Sequence, residues 1–191
     1  MRKIAVFNNE SVDGYFSGPE GDLTWAYQGS DDAEFNAFIA NNASRGNGGA
    51  LLFGRVTFEM MASYWPTPMA QEQNPVVAKG MNSMTKYVVS HTLEKATWEN
   101  SKILKGDLVT EVRKLKQESG PDIAILGSGS IVAPLVQAGL IDEIQIVLNP
   151  VVLGKGRTMF TGLDESLVLK LIEAKTFRNG KVFLRYQPAT A

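Results

Sequence analysis

Short apolar runs of β character alternate along this chain with segments of helical periodicity. That alternation constrains the fold more than any other feature. Lys3–Phe7, Ala50–Phe53, Lys86–Ser90, Ile123–Leu126 and Glu143–Leu148 read as buried strands, rich in β-branched, aromatic and aliphatic residues. Between them, Phe35, Phe38 and Ile39 recur at helical spacing, as do Phe58, Met61 and Ala62, and Leu108, Val112 and Leu115. Asp31, Asp32 and Glu34 crowd the start of the first helix, where the helix dipole favours negative charge, and that helix is expected to end by Asn42–Gly46. Pro66, Pro68 and Pro75 predict a broken loop, and Gly139 a helix C-cap. The pattern changes after residue 160. Leu167–Phe177 and Lys181–Gln187 flank Asn179-Gly180, a strong hairpin signal. The expected architecture is therefore α/β: a mixed, mostly parallel sheet between helical layers, closed by an antiparallel C-terminal hairpin, all in one domain over residues 1–191.

Composition removes several function classes. The chain has no cysteine, so disulfides, thiolate metal sites and Cys nucleophiles are excluded. His91 is the sole histidine, which leaves no His-rich zinc site within one chain and would route any Ser-His-Asp triad through that residue. No metal is expected. The net charge of −1, without blocks of one sign, carries no nucleic-acid footprint. No apolar stretch of about 20 residues occurs, so no membrane span is expected, and the short run after Met1-Arg2-Lys3 is too brief for a secretory core. A cytoplasmic setting fits.

Five segments could carry chemistry. In Ile125–Ser130 a strand enters a turn of small residues and then a helix. That geometry lets backbone approach a ligand and aims free N–H groups at an anion, though it also serves as a plain tight connection. Gly54–Glu59 repeats the arrangement with a cation, Arg55, and a hydroxyl, Thr57; an exposed arginine beside a capped helix would look the same. Residues 8–30 form a long loop in which Ser11-Val12-Asp13-Gly14 and Gly18-Pro19 are turn chemistry, fitting either a mobile cover over a substrate or ordinary turns. Trp25, followed by Asp31 and Asp32, offers a ring to stack a flat heterocycle and carboxylates to take its N–H groups. A core tryptophan and a capped helix are the other reading. Asn149–Phe160 is a basic, glycine-rich loop after a strand.

Taken in order, Ser11–Gly14, Gly54–Glu59, Gly127–Ser130, Ala138–Glu143 and Pro150–Phe160 resemble the reductase domain of riboflavin biosynthesis, within the dihydrofolate reductase-like superfamily. The resemblance spans nearly the whole chain. It implies NADPH as hydride donor and a small heterocyclic, pterin- or aminouracil-like substrate reduced at C=N or C=O. It implies that Gly54, Arg55 and Thr57 lie by the cofactor phosphates, with Arg55 on the 2′-phosphate and Ser90 and His91 nearby, and that Gly127, Ser128, Gly129, Ser130 and Ile131 cradle the pyrophosphate. His91 is equally readable as an exposed strand-end residue. The nicotinamide would lie beside Ala5 and Phe7, and the substrate ring against Trp25, near Asp13. Asp31 is the nearest match to the carboxylate of dihydrofolate reductase, and Asp32 is the alternative. Where that enzyme has Gly-Gly and a following arginine, this chain has Gly127-Ser128 and Ser130. A homodimer is expected from the same resemblance. A nucleotide-binding module without turnover, and an interaction protein with coincidental glycine turns, are the competing readings.

Overall fold

The computed structural model describes residues 1–29, 31–45 and 49–189. Its strands are β1 (Ile4–Ser11), β2 (Ala50–Gly54), β3 (Thr85–Val89), β4 (Ser101–Leu104), β5 (Ile123–Leu126), β6 (Glu143–Asn149), β7 (Leu169–Thr176) and β8 (Val182–Pro188). They form one sheet in the order β4-β3-β2-β5-β1-β6-β8-β7, parallel from β4 to β6 and antiparallel through β8 and β7. The helices are α1 (Ala33–Arg45), α2 (Arg55–Tyr64), α3 (Pro68–Gln73), α4 (Pro75–Ser83), α5 (Leu108–Gln117) and α6 (Gly129–Gln137). This is the expected mixed sheet between helical layers. The expected end of α1 reaches to Gly46, which lies outside the described residues. No helix among the described residues is long and apolar enough to cross a membrane.

The sheet has two differently filled faces. On one, α5 and α6 cover Ile4, Val6, Leu52, Ile125 and Ile144 in a continuous aliphatic core. On the other, two separate clusters form. Phe58 of α2 and Met81 of α4 pack with Leu51, Phe53, Val88 and Trp98. Phe35, Phe38 and Ile39 of α1 pack with Phe7, Val147, Phe177 and Phe183. Residues of β2 are buried on both faces, which is why Ala50–Phe53 is uninterruptedly apolar rather than alternating.

Two sequence expectations are corrected, and one strand was not expected. β1 runs on to Ser11, because Asn8–Ser11 stay in register with β6 out to Ser11↔Asn149; polar side chains at a strand end do not break a ladder whose backbone is paired. Pro68 and Pro75 start helices instead of interrupting a loop. Proline at the first helical position loses an N–H that has no partner anyway, and Thr67 Oγ1 caps α3 by accepting from Ala70 N at 3.2 Å. β4, four residues on the sheet edge with a mixed polar pattern, gave no strand signal in the sequence. The hairpin forms where expected, with Gly180 at φ +80° and its N–H donating to Phe177 O at 3.1 Å.

Candidate active site

The parallel strands end together at one edge, where the open α/β architecture places ligands. Two strand-to-helix turns converge there, β2 into α2 and β5 into α6, from neighbouring strands. Neither helix start is capped by a side chain, so N–H groups of both face the same edge. The turns approach closely, so that a side chain at either glycine would have to push a serine or threonine side chain aside. A Cβ on Gly54 would stand 2.5 Å from Ser128 Oγ, and one on Gly127 3.2 Å from Thr57 Cγ2. Gly127 (φ +67°) and Ser128 (φ +63°) are both left-handed, and for a serine that conformation costs on the order of 1 kcal/mol. Ser128 Oγ and Ser130 Oγ lie 3.2 Å apart, adding hydroxyls to the N–H groups. This is a donor-lined cradle of a kind that suits a pyrophosphate.

Arg55 opens α2 beside it and pairs with Glu59 at 2.8 Å. Both side chains are nearly half exposed, so the pair contributes little and the guanidinium is free to turn to a phosphate. Ser90 sits at the end of β3 on the same edge, but its Oγ is engaged, accepting from Thr92 N and Leu93 N at 3.2 and 3.0 Å; His91 is exposed. Ile131 does not face the cradle. Its side chain is 4% exposed in the aliphatic core and its N–H donates to Ser128 O. Gly129 is covered by the chain itself, since a Cβ there would meet Thr158 O, Met159 O and Phe16.

Beside the cradle, the sheet face carrying two clusters is thinly covered along the seam between β5 and β1. Ala5 pairs with Ala124 and Phe7 with Leu126, and these residues with Asn9 are half-buried, while Phe53 and Val147 on either side are buried. Ala124 and Leu126 pack at the edge of the cluster under α2, and Phe7 at the edge of the cluster under α1, so this half-covered strip lies between the two.

The remaining expected residues stand in other roles. Trp25 is 4% exposed within a single 3-10 turn, Thr24–Tyr27, and its Nε1 donates to Asp22 O, so the ring offers no open face. Asp32 caps α1. Its Oδ1 accepts from Phe35 N at 3.0 Å and its Oδ2 from Asn179 N at 3.1 Å, and these N–H groups, Phe35 foremost, hold its carboxyl below the usual range. A carboxylate so held is a poor proton donor. Asp31 is exposed beside it. Asp13 clasps two loops, accepting from Leu153 N (3.1 Å) and Gly154 N (2.7 Å); those bonds, and first the Ser11 hydroxyl, lower its pKa.

Sequence reasoning missed three residues here, Asn8, Glu10 and Lys181, and took Asn149 only as the start of a loop. Asn8 is buried, accepts from Gly127 N at 2.8 Å and so holds the cradle to β1. Glu10, half-buried, has its pKa pushed up to about 7 by burial. Asn149 and Lys181, 1% and 2% exposed, lie on β6 and just before β8. Asn8, Asn9 and Glu10 form a polar run directly after an apolar strand, the one signal that could have found this end of β1.

Residues 2–183 match the family described as the RibD C-terminal domain. The chain belongs to that family. It is 29% identical over 187 residues to the uncharacterised protein YyaP of Bacillus subtilis (strain 168), covering 97% of this chain and 95% of the relative. Among solved structures it resembles a protein assigned to riboflavin biosynthesis from Shewanella sp. PV-4, at 23% identity and a TM-score of 0.74, covering 98% and 99% of the two chains. It also resembles dihydrofolate reductase from Enterococcus faecalis in complex with NADP(H) and RAB-propyl, at 16% identity and a TM-score of 0.66, over 98% and 97% of the chains. These likenesses confirm the dihydrofolate reductase-like fold. The RibD C-terminal family and its fold point to a reductase.

Proposed function

We propose that this protein is an NADPH-dependent reductase of a small, flat, heterocyclic substrate. The observation that carries this reading is the convergence of Gly54 and Gly127, which brings two uncapped helix starts and two serine hydroxyls to one edge. A pyrophosphate fits that donor set, with Arg55 close enough in sequence and free enough to take the 2′-phosphate. Bound NADPH supplies a hydride to carbon, and a proton from solvent completes reduction of C=N or C=O. The residues of this chain bind and orient. The cradle holds the dinucleotide, and Phe7, half-buried on the strip of sheet beside it, offers an apolar surface to the rings.

NADPH and NADH titrations followed by tryptophan fluorescence, with Arg55→Ala in parallel, test this. The wild type should prefer NADPH at least tenfold, and Arg55→Ala should remove most of that preference while leaving NADH affinity unchanged. Absence of binding by either cofactor in calorimetry refutes the reading. A module that binds the nucleotide without turnover has one observation in its favour, the full engagement of Asp32 by backbone N–H groups. NADPH binding with no oxidation by pterin, aminouracil or quinone acceptors would favour it.

A further inference from the structure

The last two strands of the sheet have one covered face and one open face. Antiparallel partners share a face, so Val147, Phe183 and Lys175 lie together on one side, under α1. Their neighbours along each strand point to the other side. There Ile146 pairs with Leu184 and Leu148 with Val182, and across β8 Leu184 pairs with Ala174 and Tyr186 with Leu171. This is the side on which α5 and α6 pack, since Ile144 of β6 lies in their core. The core reaches no further than its margin at Ile146. Leu148, Val182, Leu184 and Tyr186, all half-buried, join none of the three clusters. Exposure grows outward: Ile144 is fully buried, Leu184 half-buried, and Leu171 on the edge strand 51% exposed. A register shift between Leu171 and Glu173 adds Ile172, itself exposed, beside it.

Charge is sorted between the two faces. On the α1 side, Arg185 pairs with Glu143 and Glu173, and Lys175 reaches Glu34 of α1. The paired positions on the open side carry only aliphatic side chains, Tyr186 and Thr176. Such a surface can be laid on its own copy without setting like charge against like charge. The area agrees. The chain exposes 10518 Å², whereas a folded monomer of 20.8 kDa exposes about 8,900 Å². That excess is larger than the roughly 800 Å² that each partner of a standard interface buries. The edge of β7 is less suited to pairing, because a bulge and the flanking Lys170 and Lys175 discourage strand addition.

We infer that the open face of β6, β8 and β7 is the interface of a two-fold dimer, packed sheet face to sheet face against a second copy of this chain. Leu171, Leu184 and Tyr186 form its apolar centre, and the α1 face of the same strands stays free. The inference stands apart from the reductase reading.

Sedimentation equilibrium of the full chain tests it. The wild type should have a mass of twice 20.8 kDa at about 10 µM. Leu171→Glu puts a charge into the apolar centre and should weaken self-association by at least about 100-fold, with an unchanged circular dichroism spectrum. The chain has no cysteine, so a single introduced thiol reports which face the dimer closes. Ala174→Cys lies on the open side, and Lys170→Cys on the α1 side by its pairing with Gln187; both positions are exposed in one copy alone. In the dimer, Ala174→Cys should react with a maleimide about tenfold more slowly than Lys170→Cys. A monomer at every concentration from about 1 to about 100 µM overturns the inference. So does a dimer undiminished in Leu171→Glu, or equal labelling of the two thiols in the dimer. The labelling decides the matter even where Leu171→Glu fails to fold.

Discussion

The two halves of the strand-end edge of the sheet are built by different means. The cradle half, on β2, β5, α2 and α6, is made of backbone, glycine and small hydroxyl residues, each within a few positions of a strand end. The opposite half, on β6, β8 and α1, is made of side chains that reach across more than 130 residues: Lys181 to Ala26, Asn179 to Asp32, Asn149 to Asn9. A backbone cradle for a phosphate tolerates no side chain and needs little else. Recognition of a particular ring requires groups whose orientation is set by several partners at once. On the proposed reading, the cofactor site is a local device and the substrate site a tertiary one.

If that division holds, damage to one half should leave the other intact. Gly127→Val should have the largest effect. A β-branched side chain at φ +67°, against Thr57 Cγ2 at 3.2 Å, must displace the turn. Cofactor affinity should fall about 100-fold by calorimetry, with a stability loss of about 2 kcal/mol. Unchanged cofactor affinity would break the comparison.

Lys181→Ala tests the other half. It removes a buried ammonium, its bond to Ala26 O and its packing on Phe35. Denaturant melts should show a loss of about 2 kcal/mol, with NADPH affinity within twofold of wild type. Lys181→Met, which keeps the volume without the charge, should recover part of that loss.

Glu10 belongs to β1, the strand between the halves, and it sharpens the comparison through pH. Burial raises its folded pKa to about 7 from 4.5, so the folded state keeps this proton longer than the unfolded chain does. Stability therefore falls as pH rises from about 4.5 through about 7. Glu10→Gln should remove that fall, with a gain of about 1–2 kcal/mol at pH 8 and none at pH 4 in chemical denaturation. An unchanged profile would mean that the carboxylate is solvated in the folded protein.

The sequence alone determined the alternation of strands and helices, the hairpin at Asn179-Gly180 and the two glycine turns, because each depends on contacts within a few residues. It marked Gly54, Arg55, Thr57 and Gly127 for the same reason. Asp32 and Trp25 were legible as residues worth noticing but not in their roles. Whether a carboxylate is free or capping depends on Asn179, far along the chain, and whether an indole is open depends on what folds over it. Only the tertiary structure decided that Pro68 and Pro75 begin helices, that the polar end of β1 stays paired to Ser11, and that Asn149 of β6 donates to the carbonyls of Val147 and Glu10. Those outcomes rest on burial and on bonds between distant segments, which no local pattern carries.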